Sequence, residues 1–69
     1  MNLEKLKELR LRHKYSQMYV AKKIGYKDGN AIWLKENGYR QYSVKDVEQL
    51  CKLYGISIQQ LEGAEDAEH

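Results

Sequence analysis

The stretch Tyr15-Ser16-Gln17-Met18-Tyr19-Val20-Ala21-Lys22-Lys23-Ile24-Gly25 decides how this chain reads. Ser16 is an N-cap residue, so a helix opens at Gln17 and runs to Ile24, with Val20, Ala21 and Ile24 facing inward. Gly25 ends it, because glycine takes the left-handed conformation that closes a helix. Ala21 is small where a neighbouring helix must cross. Tyr26-Lys27-Asp28-Gly29-Asn30 is turn chemistry, and Asp28 or Asn30 can cap a third helix that continues to about Lys35. Two short helices therefore pack across a tight turn.

Helical periodicity continues on both sides. Leu3, Leu6 and Leu9 repeat at helical spacing, with Glu4, Lys5, Lys7, Glu8 and Arg10 on the other sides; this predicts a first helix over residues 3–13, capped by Asn2. Asn37-Gly38 stops the third helix, and no alternating strands flank that dipeptide to make it a hairpin. Ser43 with Asp46 forms a capping box, with Asp in place of the usual Glu or Gln. It opens a fourth helix whose apolar stripe is Val44, Val47, Leu50, Cys51 and Tyr54, ended by Gly55. Ser57 with Gln60 is a second capping box and starts a short last helix carrying Ile58 and Leu61. The expected fold is all-α: five short helices in one domain over residues 1–62, with 63–69 an acidic, disordered tail.

The 69 residues are 42% apolar and include no proline, enough for one core. The single cysteine, Cys51, excludes an internal disulfide and a Cys/His zinc cluster and suits a reducing compartment. No apolar run approaches the ~18 residues of a membrane span, and the N-terminus lacks a signal-peptide core, so a cytoplasmic protein is expected. The net charge of +2 is unevenly spread. Residues 1–40 carry ten basic against four acidic side chains, a balance of +6, while residues 41–69 carry two against six, a balance of −4. A basic half in so small a domain points to a polyanion, most simply nucleic acid.

Catalysis finds no constellation of residues to work with. His13 ends the first helix and His69 ends the chain, far apart in sequence, so they read as a surface residue and a tail residue. Cys51 lies on an apolar stripe, where a buried inert thiol is a better reading than a nucleophile. The glycines stop helices, and no phosphate-cradling G-x-x-x-x-G-K is present. The acidic tail lacks the spacing of a calcium loop. No enzymatic activity, cofactor, metal or small-molecule ligand is expected. What remains is the two-helix unit, a helix-turn-helix whose second helix can enter a DNA major groove.

Taken in order, these pieces resemble the helix-turn-helix proteins of the phage lambda repressor and Cro class, over about residues 3–62. The resemblance rests on the leucine-patterned first helix, the Ser16-Gln17…Ala21…Gly25 signature and Glu36-Asn37-Gly38 closing the third helix. Leu53-Tyr54-Gly55-Ile56-Ser57…Leu61 looks like the last-helix motif of that class. The resemblance implies a lambda repressor-like fold and roles at the matching positions. Gln17, first in its helix, would contact a DNA phosphate. Lys27, Asp28, Gly29 and Asn30, with Trp33 and Leu34, would occupy the start and outward face of the recognition helix. Asn37, Tyr39 and Arg40 follow it, where members of the class touch backbone or bases. Asn30 is the base-reading candidate, since Asn pairs bidentately with adenine N6 and N7. Lys27 can reach guanine or phosphate, and Arg40 is expected to grip phosphate. Asp28, repulsive near phosphates, is expected to cap the third helix.

One spacing departs from the class. From Gly25 to Glu36 is eleven residues, one more than is commonest there. Counting from Gly25 puts Ala31 and Leu34 in the core; counting back from Glu36 puts Ile32 and Lys35 there. A lysine is a poor core residue, so Ala31 and Leu34 are expected inward, with Ile32 partly buried. Trp33 falls outward in both registers. Its ring either joins the core, as a domain's only tryptophan usually does, or packs on DNA sugar, a thymine methyl or a protein partner. Five of the six tyrosines (Tyr15, Tyr19, Tyr26, Tyr39, Tyr42) lie within or beside the motif and are expected to complete a core and rim without phenylalanine, while some hydroxyls meet phosphate.

The expected function is sequence-specific binding of double-stranded DNA by a small transcriptional repressor, with a phage or mobile-element origin following from size and family type. Members of the class commonly pair through their C-terminal region, which here offers Ile56, Ile58 and Leu61. A homodimer on a pseudo-palindromic operator would set two recognition helices ~34 Å apart. Two other readings stand beside it. One is an antitoxin that autoregulates its operon while masking a toxin; the other is a protein-interaction adaptor that reuses the fold without DNA.

Overall fold

Most of the helices begin where a short polar side chain can hold a first-turn N–H. In the computed structural model, which describes residues 2–61, Asn2 Oδ1 accepts from the Lys5 N–H at 3.1 Å and opens α1 (Leu3–Arg12). Ser16 Oγ accepts from the Tyr19 N–H at 3.0 Å and opens α2 (Gln17–Lys23). Ser43 and Asp46 complete a reciprocal capping box, 3.0 Å each way, at the start of α4 (Val44–Tyr54). Ser57 and Gln60 do the same for α5, residues 58–61. At α3 (Asn30–Glu36) the cap comes from one residue further back: Gly29 has no side chain to offer, and Asp28 Oδ1 takes the Asn30 N–H at 2.8 Å. Each cap satisfies donors that the first helical turn leaves without partners. Among the described residues the fold is all-helical, with five helices and no strand. The expected acidic tail, with His69, lies outside the described residues.

The core gathers one side of every helix. Leu6 and Leu9 of α1, Val20 and Ala21 of α2, Ile32 of α3, Val47, Leu50, Cys51 and Tyr54 of α4, and Leu61 of α5 are all buried. Ile24, just past α2, joins them, and Tyr15, Tyr26 and Tyr42 pack partly buried against the cluster. These three, with Tyr54, fill places a phenylalanine would take, whereas Tyr19 and Tyr39 are exposed. Gly25 follows α2 with φ +97°, where a Cβ is strained, and lets the Tyr26 N–H return to the Ala21 carbonyl at 2.8 Å.

Three expectations are corrected by the packing. Val44 is 75% exposed, because the first residue of α4 projects past the end of the core its stripe covers. Arg10, expected with Lys7 and Glu8 on the sides of α1 away from the leucines, is buried. In α3 the register is the one counted back from Glu36: Ile32 and Lys35 are buried, whereas Ala31 and Leu34 are only half-buried. The lysine is accommodated because polar partners meet it inside.

Candidate nucleic-acid interface

The turn between α2 and α3 is set by contact distance. A Cβ built on Gly29 would lie 2.9 Å from the Met18 nitrogen and 3.2 Å from the Gln17 carbonyl carbon. The backbone there has φ −70°, which any residue adopts, so the glycine is required by space alone. Its absent side chain lets the start of α3 lie directly on the start of α2. Gly29 therefore serves helix-to-helix approach, and Asp28 serves the cap.

Helical geometry then divides α3 into two arcs. Positions 30, 33, 34 and 37 share one side at 100° per residue, and positions 32, 35 and 36 share the other. Asn30, Trp33 and Asn37 are exposed, Leu34 is half-buried, and Lys27 before the helix and Arg40 after it are exposed. Trp33 is 44% exposed, so its ring is outside the core. It stacks on Tyr39, with centroids 5.6 Å apart and planes 13° from parallel. The loop that places Tyr39 turns back on the helix through N–H groups of Tyr39 and Arg40, both donating to the Leu34 carbonyl. Asn37 Nδ2 donates to the Trp33 carbonyl at 2.8 Å. Arg40 borders a shallow cleft formed with Leu3, Gly38, Gln41 and Tyr42.

The inward arc is fastened by charge on both flanks. Glu36 accepts from Arg10 of α1, Nε at 2.6 Å and Nη2 at 3.2 Å, and from Gln17 Nε2 of α2 at 3.1 Å. Arg10 Nη1 also donates to the Tyr15 carbonyl at 2.9 Å. One carboxylate thus ties three helices, and both ends of the pair are hydrogen-bonded as burial demands. Its neighbour Lys35 points to α4, where Nζ lies 3.3 Å from Asp46 Oδ2 and donates to the Gln41 carbonyl at 2.9 Å. The Tyr26 and Tyr42 rings flank the ammonium at 5.1 and 5.7 Å, a cation–π setting that offsets lost hydration. Asp46 also accepts from the Tyr26 hydroxyl at 2.9 Å. Burial raises the Asp46 carboxyl, but hydrogen bonds from Ser43, Tyr26 and Lys35 outweigh it and hold the group below its ordinary value.

Apart from Asp28, which caps α3, and Gly29, which lies against α2, the positions read from sequence fall into three groups. Asn30, Trp33, Leu34 and Asn37 come together on the outward arc of α3, with Lys27, Tyr39 and Arg40 flanking it in the chain. Gln17 stands at the α2–α3 seam with its carboxamide engaged by Glu36. In the C-terminal set, Leu61 is fully buried in the monomer core, Ile56 is half-buried, and Ile58 is 40% exposed.

Four residues that orient α3 were missed: Arg10, Lys35, Glu36 and Asp46. A signal for one pair was present, since Asp46 stands where a capping box usually carries Glu or Gln, and the register ending at Glu36 put Lys35 inward. Nothing local announces that Arg10 meets a residue 26 positions away. Among the described residues no helix is long and apolar enough to cross a membrane, and no cluster of His, Cys, Asp and Glu is placed to hold a metal. Compared with known proteins, the chain matches no family model, no curated protein and no solved structure.

Proposed function

We propose that this chain is a sequence-specific DNA-binding protein of the lambda repressor and Cro type, a small transcriptional repressor that lays α3 in the major groove. One observation carries the reading: α3 shows solvent an arc of Asn30, Trp33 and Asn37 while two ion pairs fix its opposite side. A base-reading helix needs that combination, since side chains that discriminate bases must be held in register. Charge supports it. Lys7, Arg12, Lys14, Lys22, Lys23, Lys27 and Arg40 are exposed in the first forty residues, and one of the four acids there, Glu36, is neutralised by Arg10.

In this reading Asn30 pairs with adenine, Lys27 meets guanine or phosphate, and Arg40 grips phosphate. Gln17, with one amide N–H held by Glu36, keeps a second for a phosphate oxygen. Two copies bind a pseudo-palindromic site with their α3 helices ~34 Å apart. Pairing falls to Ile58 and the open part of Ile56, because Leu61 is consumed by the monomer core.

Titration against duplexes selected from random-sequence DNA tests the reading. Binding should weaken with salt, each phosphate contact contributing a slope of about 0.9 in log K against log salt. Arg40→Ala should lower that slope by about 0.9 and weaken all sequences alike. Affinity that ignores salt, or no selected duplex at all, would sink the proposal. Sedimentation with and without the selected duplex tests pairing, and a monomer in both rules out the dimer.

A further inference from the structure

We propose that the Trp33–Tyr39 stack is a thymine reader, with the indole packing on C5-methyl groups in the major groove and setting sequence preference beside Asn30. The inference rests on the DNA-binding reading above. Trp33 is 44% exposed and Tyr39 71%, an apolar area held at the surface when the domain's only tryptophan could have been buried. Their near-parallel rings, 5.6 Å apart, brace one another, so the indole is oriented before contact and loses little freedom on binding. Trp33 shares its arc of α3 with Asn30 and Asn37, which places it at the depth where those amides would meet base edges. The apolar group that base edges present in the major groove is the thymine methyl.

Trp, Tyr and Arg also suit a protein interface, and it is the polar and lysine surroundings that favour DNA. The stack is bordered by polar Asn30 and Asn37 and, along the chain, by Lys27 and Arg40. A protein-binding surface draws its apolar core from contiguous side chains and is depleted of lysine. A small apolar cluster, Trp33 and Tyr39 with half-buried Leu34 on the same arc, set between amides and cations fits a polyanion that carries separate methyl groups.

The test exploits two features of the system. Replacing thymine by deoxyuridine removes the C5-methyl and leaves the base-pairing and O4 acceptor intact. Trp33, being the only tryptophan, reports its own environment by fluorescence. The selected duplex and a copy with deoxyuridine at each thymine in turn are titrated against the full chain, against Trp33→Ala and against Tyr39→Ala. Loss of the contacted methyl should weaken the native chain about fourfold and diminish the tryptophan emission change. Trp33→Ala should bind both duplexes alike, and Tyr39→Ala should discriminate less than the native chain. Circular dichroism establishes that the variants stay folded; if Trp33→Ala does not, Trp33→Leu replaces it. Equal affinity of the native chain for every substituted duplex overturns the inference while leaving DNA binding standing. So does a uracil penalty that persists in the Trp33 variant. If the stack instead serves a protein partner, its emission will be unmoved by DNA. If no duplex is bound, the inference falls together with the reading beneath it.

Discussion

Glu36 receives three hydrogen bonds from Arg10 and Gln17 on a side chain only 3% exposed, and that concentration makes it sensitive to substitution. Deleting one partner of a buried pair leaves the other charge without compensation. Glu36→Ala is therefore expected to cost about 3–5 kcal/mol, seen as a collapse of the urea midpoint, and a midpoint near the native value would contradict the assignment. Asn30 sits at the opposite extreme, exposed and clear of the core, so its loss should spare the fold. Under the proposed function, Asn30→Ala should cost ~1–3 kcal/mol on the selected duplex and little on unrelated DNA. Sequence preference left intact by that change would mean that another residue reads the base. Asn30 was legible because it follows turn residues at a helix start. Glu36 showed only as a helix end, since its partners lie 26 and 19 positions away.

At the scale of elements, the motif depends on how closely α2 and α3 approach. Gly29→Ala offers a clean measure, because φ −70° suits alanine and what opposes it is close approach, 2.9 Å to the Met18 nitrogen and 3.2 Å to the Gln17 carbonyl carbon. The helices must separate by a few tenths of an ångström, at a cost of about 1–3 kcal/mol. Thermal unfolding should show the loss, and an unchanged transition would show that the turn yields freely. The helix starts could be read from sequence because a cap acts over two or three residues. The end of α1 falls within one residue of the expected position 13, but the turn that follows has no local signal. There Lys14 takes φ +60°, and the Tyr15 N–H returns to the Arg10 carbonyl, with no glycine to mark the turn. The aromatic stack likewise depends on Gly38 and the loop that folds Tyr39 back over α3, which spacing along a helix does not describe.

Across the whole molecule, stability should depend on pH at both ends of the range. The Asp46 carboxyl is held below its ordinary 3.8, so its contribution is present above about pH 3.8 and is lost as the pH falls through its folded value. Tyr42 and Tyr54 are pushed above their ordinary 10.0, by burial first and then by the negative charge of Glu36. Their contribution is present below about pH 10 and is lost as the pH climbs through their folded values. Melting temperature against pH should therefore fall at both limbs, with Asp46→Asn flattening the acid one and Tyr54→Phe the alkaline one. Native-like limbs in those variants would place the titration elsewhere. By itself the sequence determined the helical class, the caps and most of the stripes, because capping and periodicity are local and need no knowledge of distant partners. The tertiary structure alone decided the register of α3, since Lys35 could be buried only where Asp46, the Gln41 carbonyl and two tyrosine rings converged on it. A buried charge is excluded or stabilised by what surrounds it, and folding is what supplies those surroundings.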